Sequence, residues 1–458
     1  MILAPDLVYI DGAFVDGVVI EIDEATGRIR RAGAGSIGEV VRLPRRAIVP
    51  GFVNAHSHSF QRAIRGRTQW KPVSERAADF WSWREQMYAA ALTFSPDQVE
   101  TVARACFIEM LKAGYTTVGE FHYLQRDRDG KAYNDPNELA KRVITAATDV
   151  GIRIVLLNVC YATGSINEPL RREQARFATP DLDAFLADTV ALRDGLRSET
   201  ATVGIAPHSV RAVPREWLAP LAAAAASMNM PLHMHVNEQP AEVVACEAAY
   251  GMRPIELLHA EGVLSHRFTG VHGTHADAHE IALLGAVRAH VCACPTTERD
   301  LGDGLLPAAE VLNAGAGICI GTDSQTVIDP WEEVRLIEYH ERLRSLKRVV
   351  LTKQIGNRLE TAPVLIDAGT RAGAASLRID AGRIAENCAA DLVGVDLSHP
   401  SLAGWTRTSL AAMLAHSAPA NVVADVWVGG RQVVREGRHP QEVAVFRRYE
   451  NVVRQVMP

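Results

Sequence analysis

His56-Ser57-His58 follows directly on the apolar run from Ala47 to Ala55. Side chains alternate along a strand, so residues i and i+2 leave on the same side. Two imidazoles spaced this way at a strand's end can grip one metal ion. With 16 histidines in 458 residues, chance alone would supply a His-x-His pair. The pair therefore gains weight only from further donors at corresponding places. Three more apolar runs end in such donors: His233-Met234-His235-Val236-Asn237-Glu238, Val271-His272-Gly273-Thr274-His275-Ala276-Asp277 and Gly321-Thr322-Asp323-Ser324. Three or more imidazoles and a carboxylate, with room for water, suit a catalytic Zn²⁺ or Fe²⁺ with an open position. Taken singly, each residue has a plainer reading. A lone buried His is usually a hydrogen-bonded core residue, and Asp323 alone would pass for an N-cap or turn residue. Four sites at the ends of four runs are hard to explain as structure only.

These donors need a scaffold that brings separate strand ends together. Strand-like runs follow one another at Thr116–Phe121, Ile152–Leu157, Thr202–Ala206, Leu232–Val236, Thr269–His272, His290–Cys294 and Gly317–Gly321. Between them lie Ala- and Leu-rich stretches of helical period, such as Pro96–Ala113, Asp181–Leu196 and Trp331–Leu346. About eight β–α repeats predict a (β/α)8 barrel of the TIM type, whose chemistry collects at the C-terminal ends of its strands. Both ends of the chain have a different texture. Val8–Ile10, Val18–Asp23 and Gly27–Arg30 near the start, and Asp391–Leu397 and Val422–Gly430 near the end, are short strands with turn signals between them. They predict one small β-sandwich domain built from both termini. The expected division is 1–48 and 373–458 for that domain, with the metal-dependent barrel over 49–372.

An apolar fraction of 48% and a charged fraction of 22% are those of an ordinary globular protein. A net charge of −6 gives no electrostatic case for nucleic acid. No apolar stretch of about 18 residues is present, and the first residues lack a charged leader. The expectation is a cytoplasmic protein with no membrane segment. Seven cysteines without repeated spacing fit reduced thiols better than disulfides. Cys292-Ala293-Cys294 reads as core of the seventh strand, since one two-residue spacing is a weak zinc signal. Basic charge is carried almost entirely by Arg, with Lys only at 71, 112, 131, 141, 347 and 353. That abundance weakens any single Arg as a candidate ligand.

A single-metal site with a Glu beside it suits hydrolytic attack on an sp² carbon that bears nitrogen. The ion lowers the pKa of its water, Asp323 can take the proton, and His272 can orient the water and stabilise developing negative charge. Glu238 can protonate the nitrogen that leaves as ammonia. Strand geometry leaves the choice between His233 and His235 open, as it does that between His272, His275 and His279.

The spelling Pro50-Gly51-Phe52-Val53-Asn54-Ala55-His56-Ser57-His58 resembles the first barrel strand of the amidohydrolase superfamily. Together with Phe80-Trp81-Ser82-Trp83-Arg84, Gly119-Glu120-Phe121-His122-Tyr123, His235-Val236-Asn237-Glu238, the His272 to Asp277 run and Gly321-Thr322-Asp323-Ser324-Gln325, it is similar to the formiminoglutamate deiminases. The resemblance runs along nearly the whole chain. It implies the barrel with a β-sandwich, one zinc per subunit, a homodimer, and hydrolysis of N-formimino-L-glutamate to N-formyl-L-glutamate and ammonia in histidine degradation. It selects His56, His58, His235 and Asp323 as ligands and His272 as the sixth-strand residue. Two-metal members bridge their ions with a carboxylated Lys, and no Lys lies between Lys141 and Lys347, so one ion is expected. A dicarboxylate amidine substrate calls for Arg and hydrogen-bond donors near the ion. By resemblance these are Gln61, Arg84, Tyr123, His208 and Arg211, although Arg62, Arg65 and Arg67 lie equally close in sequence. The rival readings are another single-metal deaminase acting on guanine or an adenosyl compound, an imidazolonepropionase, and a catalytically inactive scaffold barrel.

Overall fold

Gly51 divides the apolar run that leads to the two histidines. Before it, Val41–Pro50 is a strand of a sheet formed by both chain ends; after it, Phe52–Ser57 (β1) opens the barrel. A Cβ at position 51 would lie 2.1 Å from Oγ1 and 2.5 Å from Cγ2 of Thr116, so only glycine passes here. Its N–H donates to the Asp391 carbonyl at 2.8 Å, tying the crossing point to the small sheet. The computed structural model describes residues 1–35, 38–71, 73 and 79–457.

From β1 the barrel continues through Tyr115–His122 (β2), Arg153–Cys160 (β3), Ala201–Pro207 (β4), Leu232–Val236 (β5), Phe268–His272 (β6), His290–Ala293 (β7) and Gly317–Ile320 (β8). Each strand pairs in parallel with the next. These strands are buried almost throughout, as parallel strands covered by helices must be. The ring closes between β1 and the end of β8 by a parallel bridge from Ser57 to Asp323. There the His58 N–H donates to the Asp323 carbonyl and the Asp323 N–H to the His56 carbonyl, both at 3.0 Å.

The expected helices form with identifiable ends. Pro96–Ala113 starts on a capping box between Ser95 and Gln98, carries Pro at its first turn, and stops at Gly114 in the left-handed region. Leu182–Asp194 is capped by Asp181, and Pro330–Ser345 by Asp329. Strands from both termini form one eight-stranded sheet. In it Leu392–Asp396 pairs antiparallel with Val41–Pro50, which pairs in parallel with Ile2–Ile10. Arg153 at the foot of β3 makes a two-pronged ion pair to the buried Asp391 at 2.8 and 3.0 Å, joining barrel to sheet. The β-rich reading of the last segment missed the helix Glu442–Val456, which packs on Pro96–Ala113 and ties to it through Lys112 and Glu442 at 2.6 Å. All seven cysteines are free and buried, and no helix among the described residues is long and apolar enough to cross a membrane.

Replacing Gly51 by Ala should therefore force the strand off Thr116 and cost about 1–3 kcal/mol, as overpacking does. A lowered midpoint in thermal or urea unfolding is the expected result, and an unchanged midpoint would contradict the close approach.

Candidate metal centre and active-site cleft

The closing bridge sets Asp323 beside the His56-Ser57-His58 segment, and β5 brings His235 to the same layer. His56 Nε2 lies 3.2 Å from His58 Nε2 and 3.1 Å from His235 Nε2. Asp323 Oδ1 is 3.6 Å from His56 Nε2 and 3.3 Å from His58 Nε2. Four donors around one ion at about 2.0–2.1 Å would sit about 3.3 Å apart, close to these separations.

Tautomers add a second test. His58 Nδ1 lies 2.9 Å from the Phe121 carbonyl and His235 Nδ1 lies 3.0 Å from the His208 carbonyl. A carbonyl only accepts, so in both neutral rings Nδ1 carries the hydrogen and Nε2 is a bare lone pair. Both lone pairs face the same spot beside His56, at the buried floor of the barrel mouth. Burial pushes His56 down to about 3 and lowers His58 and His235 as well, so the rings are neutral. Burial works to raise Asp323, but the surrounding His56, His58 and His272 pull its carboxyl below the usual range. Neutral imidazoles and an ionised carboxylate are the forms that bind metal. His56, His58, His235 and Asp323 could thus hold one divalent ion.

His233 faces the barrel interior too, but two residues nearer the other end, where its Nε2 reaches the Ser376 carbonyl at 3.0 Å. This is the geometric reason why one histidine of the pair joins the cluster and the other does not. His275 bonds the Asp303 carbonyl at 2.7 Å, and His279 is an exposed helix residue. His272 stands on the far side of the cluster, with Nε2 3.7 Å from Glu238 Oε1 and 3.8 Å from Asp323 Oδ2. Burial alone would lower His272, but Glu238, Glu298 and Asp323 outweigh it and push the ring up to about 10. Burial raises Glu238, with His272 and Arg211 pulling the other way. Asn237, His272, Asp323 and Gln325 all have positive φ, at 50, 74, 46 and 65°. Non-glycine residues held there cost about 1–3 kcal/mol each and cluster at functional sites.

A narrow cleft leads to this cluster. Gln61, Arg84, Tyr123, His208 and Arg211 all line it, beside His58, His235, Glu238 and Asp323. Gln61 Nε2 donates to the Tyr123 hydroxyl at 2.7 Å. Arg84 stacks over Trp81 with its guanidinium 4.4 Å from the ring, and Arg211 lies 5.6 Å from the same ring. Arg62 and Arg65 instead pair with Glu109 at 2.7 and 2.6 Å, away from the cleft.

Residues 47–433 match the Amidohydrolase family. The chain belongs to the amidohydrolase family. It is 38% identical over 413 residues to the formimidoylglutamate deiminase of Pseudomonas aeruginosa, covering 90% of each chain. The crystal structure of an amidohydrolase from Brucella melitensis has a TM-score of 0.89 to this one at 31% identity, over 100% of both chains. An adenosine deaminase from Xanthomonas campestris, crystallised with bound zinc, has a TM-score of 0.83 at 22% identity. It covers 99% of this chain and 98% of that one, a likeness of fold.

The supporting groups of this amidohydrolase were not singled out from sequence. Glu120, at the end of β2, accepts hydrogen bonds from Ser57 Oγ at 2.7 Å, Ser59 N at 2.8 Å and Ser59 Oγ at 2.6 Å. It clamps both sides of His58. Glu298 lies 3.3 Å from His272 Nδ1 and accepts from the Cys294 N–H at 2.8 Å. Asn54 bonds Thr322 at 2.6 Å, fixing β1 against the residue before Asp323. The Cys294 thiol packs with Ala55, Val271, Cys292 and Cys319 in a small apolar cluster just behind the site, while lying within 4.8 Å of donor atoms of His272 and Asp323.

Glu120→Ala would leave three buried donors unpaired and free the segment that carries the two histidines. Metal affinity should drop about 10–100-fold, as outer-shell changes do. Chelator competition reads this directly, and an affinity equal to that of the unsubstituted protein would show that Glu120 does not hold the segment.

Proposed function

We propose that the protein hydrolyses N-formimino-L-glutamate to N-formyl-L-glutamate and ammonia, with one zinc ion per subunit held by His56, His58, His235 and Asp323. The observation that carries this reading is the pair of guanidinium groups, Arg84 and Arg211, both near the Trp81 ring and both lining the cleft that also holds Glu238 and Asp323. Two cations suit a dicarboxylate, and a carboxylate and imidazole cluster suits the hydrolysis of an amidine. The likeness to the Pseudomonas aeruginosa deiminase supports the same substrate.

When bound, zinc supplies the Lewis acid that makes water a nucleophile near neutral pH. The protein's own groups then manage position and protons. Asp323 is placed to accept a proton from the attacking water, and His272 to orient that water and stabilise negative charge as it develops. The water oxygen bonds to the formimino carbon. Glu238, on the opposite side of His272 from Glu298, delivers a proton to the terminal nitrogen; the carbon–nitrogen bond then breaks as the added hydroxyl becomes the formyl C=O, its proton returning to Glu238 and ammonia leaving. Gln61, Tyr123 and His208 line the wall on which the formimino group and its chain rest, with Arg84 and Arg211 for the carboxylates. The same reading implies a cytoplasmic homodimer in histidine degradation, for which a solution mass of twice the 49.8 kDa chain is the check.

Zinc-loaded protein supplied with N-formimino-L-glutamate should release ammonia and formylglutamate in equal amounts. Turnover of guanine or an adenosyl compound with no ammonia from the formimino substrate would overturn the assignment. Glu238→Gln should keep its metal and lose at least about a hundredfold in kcat, the scale of general acid–base catalysis. Retained activity in that variant would remove Glu238 from the proton path.

A further inference from the structure

Arg211 is already occupied. Its Nη2 donates to Glu238 Oε2 at 3.1 Å and its Nε to Glu242 Oε2 at 3.1 Å, all three side chains being buried. Glu238 Oε1 in turn faces His272 Nε2 at 3.7 Å. The group that must deliver a proton to substrate thus has one oxygen held by Arg211 and the other facing the His272 ring. A substrate carboxylate that binds Arg211 must therefore take the place of one of these two carboxyl groups.

The two ion pairs are not equivalent. Glu242 lies on the helix Pro240–Tyr250, fully enclosed, with its other oxygen unpartnered. Glu238 lines the cleft with Arg211. An arriving carboxylate therefore competes with Glu238, not with Glu242, while Glu242 keeps the guanidinium anchored through Nε. Arg84 has no such tie to the acid. It lies over Trp81 and Tyr88, with Glu85 its ion-pair partner at 3.9 Å.

We infer that Arg211 couples substrate recognition to chemistry: the substrate's carboxylate draws its Nη2 away from Glu238, and Glu238 then becomes free to serve the leaving nitrogen. This rests on the activity proposed above and adds to it. Arg211 becomes the residue that makes turnover depend on a carboxylate which is not itself reacting. Binding energy from a remote part of the substrate is then expressed in kcat and not only in KM.

The test compares N-formimino-L-glutamate with N-methylformamidine, which has the amidine and no carboxylate, in the zinc-loaded enzyme. With the unsubstituted enzyme, kcat should fall about tenfold or more on truncation, and in Arg211→Met the ratio between substrates should shrink to within about threefold. Arg84→Met should keep the kcat ratio and show its effect in KM. Where Arg211→Met does not fold, glutarate added to the unsubstituted enzyme should raise turnover of N-methylformamidine, supplying the missing carboxylate in trans. A truncation effect confined to KM, or a kcat ratio unchanged by Arg211→Met, would overturn the coupling. So would a lack of glutarate activation where that variant does not fold. Failure of the unsubstituted enzyme to turn over N-formimino-L-glutamate would remove the parent activity instead, a distinct result.

Discussion

The structure depends on one parallel bridge. Where β1 meets the end of β8, two backbone hydrogen bonds of 3.0 Å hold Asp323 against the His56-Ser57-His58 segment. The same bonds close the barrel and fix the distance between a carboxylate and two imidazoles that lie far apart in sequence. Other features serve this junction. Gly51 lets β1 pass Thr116 at close range, Asn54 reaches across to Thr322, and Gln325 Nε2 donates to Ser57 Oγ at 2.9 Å. Scaffold closure and the placing of the histidine–aspartate cluster are one set of contacts.

Electrostatics sets the second constraint. Burial strips water from His56, His58 and His235 and keeps them neutral, while the backbone carbonyls of Phe121 and His208 decide which nitrogen points inward. On the other side of the cluster, Glu238, Glu298 and Asp323 surround His272 and favour its cationic form. The site is thus divided into a neutral face that suits a cation and a charged face that suits proton transfer. Arg211 links the charged face to the cleft, where substrate carboxylates would arrive.

Much of this was legible in the sequence, for a physical reason. A parallel strand buried on both sides is a short apolar run with its candidate ligands near the C-terminal end, so the ends of β1, β5, β6 and β8 could be read; which histidine of β5 and of β6 faces the cluster came from the family resemblance alone. The helix Pro96–Ala113 was equally plain, because apolar period, cap and stop residues agree. What stayed hidden are groups whose meaning lies in a distant partner. Glu120 meets Ser57 across 63 positions, Glu298 meets His272 across 26 and Arg211 meets Glu242 across 31. Nothing local distinguishes such a carboxylate from a surface one. The split of the run at Gly51 was hidden likewise, since both halves are apolar and only their partners differ.

The central claim is that barrel closure builds a cradle for a single ion. Anomalous diffraction at the zinc edge from crystals of the loaded protein tests it most directly. The account predicts one peak per subunit, within bonding distance of His56, His58, His235 and Asp323. Two peaks, or one peak centred elsewhere, would contradict it.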